Sequence, residues 1–108
     1  MAKENLPVQV SNLENDIAYQ KDSVVSKTII GKKTGTVTLF AFDAGQSLSE
    51  HTAPFDALVY GVDGVAEITV ASTHIVLKKG ETVILPANVP HAVKPLGQFK
   101  MLLVMIKS

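Results

Sequence analysis

The sequence predicts an all-β chain, a sandwich or barrel of short antiparallel strands. Three observations carry that expectation: β-branched and aromatic residues come in short runs, Gly, Asp and Pro interrupt the runs at short intervals, and no stretch sustains a helical period. At 108 residues the chain makes one domain, long enough to bury a core without metal or disulfide staples.

Residues 1–22 are polar, with Asn, Asp, Glu and Gln between single apolar residues. This segment is expected to pack on or beside a single barrel domain spanning 23–108. Within it, Ser11-Asn-Leu-Glu14 has the spacing of a capping box and predicts a short helical turn. The first strand is expected over 23–30, where Val24-Val25 and Thr28-Ile29-Ile30 are β-branched. Gly31-Lys-Lys-Thr-Gly35 then turns the chain into a second strand over 36–43, completing a hairpin. Strands over 55–61 and 64–70 are expected to pair, because Asp63-Gly64 between them is a strong two-residue hairpin signal. Ala71-Ser-Thr73 leads into a strand over 74–77, and Lys78-Lys-Gly80 into one over 82–85. Pro86-Ala-Asn-Val-Pro90 reads as a loop before strands over 91–94 and 98–107.

The last strand has two apolar faces: Phe99, Met101, Leu103 and Met105 on one, Leu102, Val104 and Ile106 on the other. One small barrel cannot take both faces inside, so a second copy is expected to cover the outer one, making a homodimer.

Composition excludes several classes of function. Ten lysines balance ten acidic residues, arginine is absent and the charges are scattered, which argues against nucleic acid and anionic membrane as partners. With no cysteine there is no disulfide framework and no thiolate metal site. The opening Met-Ala-Lys-Glu-Asn lacks the apolar stretch of a secretory signal, and no apolar run reaches membrane-spanning length; the expected location is cytoplasmic.

Two stretches share a layout. Gly45 to Gly64 holds a turn glycine, then His51, then an apolar strand; Gly80 to His91 holds a glycine, an apolar strand and one histidine. Two glycine-led strand units of this kind are expected to bring His51 and His91 together. If the strand after His51 is unbroken, Ala53, Phe55, Ala57 and Val59 share its face and line the interior, although Pro54 allows a bulge. Met101 joins them as a pocket-lining or core-filling residue, as does Met105. His74, alternating with Ile75 and Leu77, is expected to face solvent, and Asp56 has the wrong parity for the interior unless a bulge turns it inward.

These residues resemble the cupins, in particular small single-domain cupins of the RmlC-like jelly-roll superfamily. The family's first motif runs Gly, five residues, His, one residue, His, three or four residues, Glu, six residues, Gly; Gly45, His51 and Gly64 match it in register. Ala53 stands at the second His and Ala57 at the Glu. The second motif runs Gly, five residues, Pro, one residue, Gly, two residues, His, three residues, Asn; Gly80, Pro86 and His91 match, while Asn88 replaces the inner Gly and Pro95 the final Asn. The resemblance implies a double-stranded β-helix, a jelly-roll barrel of two antiparallel sheets. It also implies a metal site of three His and one Glu, of which His51 and His91 remain, so that one divalent Zn, Ni, Mn or Fe ion would be held weakly.

Two functions follow as expectations. In the first, the barrel binds a small-molecule ligand, with the two histidines supplying orientation and hydrogen bonds. In the second, a divalent ion on His51 and His91 makes the chain a metal-dependent enzyme, dioxygenase-, isomerase- or lyase-like, acting on a small oxygen-bearing substrate. Against both stands a plain alternative, that the two are neutral core histidines bonded to backbone or to each other. No catalytic residue can be assigned from the sequence.

Overall fold

The structure, a computed structural model, describes residues 8–107, so residues 1–7 of the polar N-terminal segment and Ser108 lie outside the described residues. The described residues form nine strands and no helix: β1 (Val24–Lys32), β2 (Gly35–Phe42), β3 (Leu48–His51), β4 (Asp56–Asp63), β5 (Val65–Val70), β6 (Thr73–Lys78), β7 (Thr82–Leu85), β8 (His91–Pro95) and β9 (Phe99–Ile106). They make two antiparallel sheets, one ordered β1-β2-β9-β4-β7 and the other β3-β8-β5-β6. This is the jelly-roll barrel the sequence predicts.

The core lies where the inner faces meet. Phe42, Phe99, Val59 and Met101 come from the larger sheet, and Ala66, Ile68, Leu77 and Val93 from the smaller. Phe42 and Phe99 are cross-strand partners in register, with ring centroids 5.9 Å apart.

Three expectations are corrected. Asp63-Gly64 is not a hairpin turn, since β4 pairs with β7 and β9 while β5 pairs with β6 and β8. It is the corner at which the chain leaves one sheet for the other. Gly64 has φ +78°, and a Cβ there would lie 2.1 Å from the Gln98 carbonyl oxygen, so the crossing needs glycine for angle and for space. The strand carrying His51 is also not continuous with Ala57 and Val59. It ends at His51, the chain bends at Pro54–Phe55, and β4 begins in the opposite sheet. Finally, the turn near residue 13 is organised by Asn12 and not by Ser11: the Asn15 N–H donates to both the backbone oxygen (3.0 Å) and the Oδ1 (3.2 Å) of Asn12. It does not grow into a helix.

Residues 13–19 of the N-terminal segment lie on the outer face of the larger sheet. Ile17, 7% exposed, packs against Leu39, Ala41 and Val62, with Leu13, Tyr19, Tyr60 and Leu102 around it. Polar contacts pin its rim. The Tyr19 hydroxyl donates to Asp63 Oδ2, the buried Lys100 donates to the Glu14 carbonyl oxygen while its Nζ sits 4.8 Å from the Tyr19 ring centroid, and Lys79 pairs with Glu14 at 2.7 Å. Burial, and then the bond to Asp63, push the Tyr19 hydroxyl's pKa well above the usual tyrosine value.

Candidate functional site

Between the sheets the barrel keeps a cavity of about 130 Å³, lined by Leu48, His51, Ala53, Phe55, Ala57, Leu85, His91, Val93, Met101, Leu103 and Met105. Nine of these eleven side chains are apolar, so any polar recognition from side chains falls to the two histidines. Larger clefts exist outside the barrel, one between Gly45–Leu48 and Ala92–Pro95 and one between the N-terminal segment and β1. The second is lined mainly by polar residues, Gln9, Ser11, Asp16, Lys27 and Thr28, and both lie on the outside of the barrel; the cavity between the sheets, which gathers both histidines, is the better candidate.

Each histidine is placed by a local device. His51 and His91 are direct cross-strand partners on β3 and β8. Leu48 pairs with Val93, so three residues of β3 advance against two of β8, and this bulge lets Leu48 and His51 both face the cavity. His91 follows a loop fixed to the segment after His51 at two points. The Asn88 N–H donates to the Ala53 carbonyl (2.7 Å), and the Ala87 N–H donates to Asp56 Oδ1 (2.8 Å). Asn88 takes φ +63°, a left-handed angle that asparagine tolerates better than most residues.

The two Nε2 atoms are 3.1 Å apart, with the ring planes at 72°. His51 Nδ1 lies 2.7 Å from the Ser49 carbonyl oxygen, and His91 Nδ1 lies 3.2 Å from that of Val89. A carbonyl oxygen only accepts, so the short bond at His51 assigns the proton to its Nδ1 and leaves its Nε2 as an acceptor. His91 then either keeps its proton on Nδ1, leaving two lone pairs face to face, or carries it on Nε2 and donates to His51. The first arrangement suits a shared cation, the second a neutral hydrogen-bonded pair. His51 is exposed while His91 is only 8% exposed, so the pair connects the cavity wall to solvent. Burial, and secondarily the nearby His51, holds the His91 imidazole below the ordinary histidine range despite the Val89 carbonyl, which works the other way.

Of the residues singled out in the sequence, the structure gathers His51, His91, Ala53, Phe55, Ala57 and Met101 around the cavity, with Met105 beside them. Val59 is not on the lining; it is fully buried in the core. Asp56 is exposed and spends its carboxylate on the Ala87 N–H, and His74 is exposed with Nδ1 2.9 Å from Thr69 Oγ1. Sequence reasoning missed Leu48, Leu85, Val93 and Leu103. Alternation along β8 from His91 and along β9 from Met101 places Val93 and Leu103 on the inner faces, whereas Leu48 is hidden by the bulge.

As a donor set for a metal ion, the cavity offers two imidazoles. Among the described residues no group of three or more His, Cys, Asp or Glu side chains could hold an ion. The Nε2 separation of 3.1 Å nevertheless matches the roughly 2.9–3.3 Å between neighbouring ligands that each lie about 2.0–2.1 Å from one ion. The pair therefore fits part of a coordination shell and not a complete one.

Fold and site together define a small double-sheet barrel with an apolar cavity closed by paired histidines. The cupin-domain family matches residues 38–107, and the chain belongs to that family. It is similar to a conserved protein of unknown function from Streptococcus pyogenes (32% identity, TM-score 0.90, covering 95% of this chain and 90% of that one). It also resembles a cupin 2 conserved barrel domain protein from Leptotrichia buccalis (42% identity, TM-score 0.86, covering 90% of this chain and 47% of the other). A cupin superfamily protein from Desulfitobacterium hafniense matches over 100% of both chains at 28% identity and TM-score 0.89. No curated protein matches the chain.

Proposed function

We propose that this cupin binds a compact, mainly apolar molecule inside the barrel and meets its one oxygen function with His51 and His91. The observation that carries this reading is the lining: an apolar cavity between the sheets in which, among the described residues, the polar side chains are two histidines in contact with each other. Its volume of about 130 Å³ is below the roughly 300–1,000 Å³ of drug-sized sites, which selects a small ligand. A ligand hydroxyl replaces the mutual imidazole bond by donating to His51 Nε2 and accepting from His91 Nε2–H.

A second reading is favoured by the Nε2 spacing alone. His51 and His91 would hold a divalent ion, with water or substrate completing the shell, and such an ion would supply Lewis acidity toward a substrate oxygen. The carbonyls of Ser49 and Val89 orient the rings for that role as outer partners. Alanines at 53 and 57 make this site weak.

Thermal unfolding against a panel of compact alcohols, ketones and carboxylic acids tests the first reading. Binding to the native state stabilises it by RT ln(1 + [L]/Kd), so Tm rises with the logarithm of ligand concentration once that exceeds Kd. The expected outcome is a rise for some of the panel that disappears in Ala53→Leu, which fills the cavity. No rise for any member, or a rise that Ala53→Leu leaves intact, would contradict it.

A further inference from the structure

The row of β9 side chains that faces the cavity does not end at Met105. Met101, Leu103 and Met105 alternate along the strand and all line the cavity, so the next residue of that parity, Lys107, falls on the same side just past the strand's end. Contact confirms the side: Lys107 Nζ sits 5.7 Å from the ring centroid of Phe55, itself a lining residue. The Lys107 N–H donates to the Thr34 carbonyl oxygen at 2.8 Å, which fixes the backbone there, and the side chain is half-buried. This is also the end of the barrel that carries the histidines. Ile106 is the cross-strand partner of Asp56, the first residue of β4, and the segments after His51 and before His91 cross between the sheets at that end, tied by the bond from the Asn88 N–H to the Ala53 carbonyl. Asp56 is not the partner of the ammonium: its Oδ1 accepts from the Ala87 N–H, and among the described residues no carboxylate is in ion-pair contact with Lys107.

We propose that Lys107 is a binding residue at the mouth of the cavity and that the group it holds is the carboxylate of a compact hydroxy acid. The proposal rests on the barrel cavity being the binding site: the hydroxyl meets the histidine pair, the carbon chain fills the apolar interior, and the carboxylate stays at the mouth. Chemistry selects this class. An ammonium lying against Phe55 with no carboxylate of the chain beside it keeps its N–H donors available to an anion, and partial burial strengthens that pairing relative to one in open water. One lysine is a single point charge and matches a monoanion. A phosphate calls for more donors, such as the fork of an arginine, which this chain lacks, or a nest of backbone N–H groups. The volume of about 130 Å³ limits the enclosed part to a few carbons. Anchoring at both ends sets the ligand's direction, hydroxyl inward and carboxylate outward.

Calorimetry of the full chain with α- and β-hydroxyisovalerate, each beside its neutral amide, tests this. In the natural protein at least one acid is expected to bind about tenfold more tightly than its amide, the amount that a hydrogen bond to a charged group supplies. Lys107→Met and Lys107→Gln bring that acid down to the affinity of its amide and leave the amide unchanged, which also shows that the variants are folded. Added salt weakens the acid alone. Acids that bind no better than their amides overturn the proposal and leave the cavity reading standing, as does a preference that survives in both Lys107 variants. Loss of the amide as well in both variants makes Lys107 a structural residue and overturns it too. If neither acid nor amide binds, the proposal falls, and the alcohols and ketones tested against Ala53→Leu decide the cavity reading separately.

Discussion

His91 is where burial and protonation compete. Its imidazole is held below the ordinary value chiefly by desolvation, so the folded state binds its proton less readily than the unfolded chain, whose histidine titrates near ~6.5. Since the unfolded state takes up more protons, the stabilisation is complete above that value and is lost as pH falls below it. Urea unfolding is predicted to show a midpoint that drops as pH is lowered from about 7 to about 5. In His91→Gln the drop should be shallower, and an equal slope in both proteins would contradict the assignment. The alanines make the complementary case. Ala57→Glu restores a carboxylate to a cavity that already holds two imidazoles, and divalent binding measured by calorimetry with zinc, nickel, manganese and ferrous iron should tighten more than tenfold, about 1.4 kcal/mol. His91→Ala should abolish what binding there is. The alanines are legible in the sequence as departures from a motif, but their effect on the cavity is not, because its walls come from both sheets.

Among the elements, alternation located eight of the nine strands, because each has a β-branched or aromatic run between turn residues. β3 escaped, since Leu-Ser-Glu-His is short, polar and bulged. The Asp63-Gly64 hairpin failed for a different physical reason. Turn chemistry reports a reversal, whereas sheet membership depends on contacts distant in sequence, here β4 with β9 and β5 with β8. Gly64→Ala therefore tests a crossing and not a hairpin. With both φ and the Gln98 oxygen against it, the variant should lose more than the ~1 kcal/mol typical of a glycine replaced at a positive angle, read by chemical denaturation. The loop before His91 depends on Asp56. Asp56→Ala removes the acceptor of the Ala87 N–H and should cost about 1 kcal/mol of stability and weaken ligand binding without touching the cavity lining. If Asp56→Ala binds as the natural protein does, the loop does not need that anchor to place His91.

For the whole molecule, residues 13–19 cover part of the outer face of the larger sheet. The polarity of this segment obscures the three residues that matter, Leu13, Ile17 and Tyr19, which are spaced too irregularly for either strand or helix periodicity. Ile17→Ala should destabilise the fold by about 2–5 kcal/mol, as for a buried large aliphatic, and leave the cavity 's ligand preference unchanged. Among the described residues, no helix is long and apolar enough to cross a membrane. The two-sided apolar character of β9 was legible from its sequence. Its resolution was not, because Leu102 is covered by the chain's own N-terminal segment while Ile106 remains exposed.

Under the proposed function, His51, His91 and the apolar lining act as one binding site. Nuclear magnetic resonance of the protein labelled at the imidazole nitrogens and the methionine methyls tests it most directly, by titrating a compact alcohol or ketone that raises Tm. In a single site, His51, His91, Met101 and Met105 shift together with one Kd, while exposed His74 does not move. Methyl shifts without imidazole shifts, or imidazole shifts with unequal affinity, would contradict it.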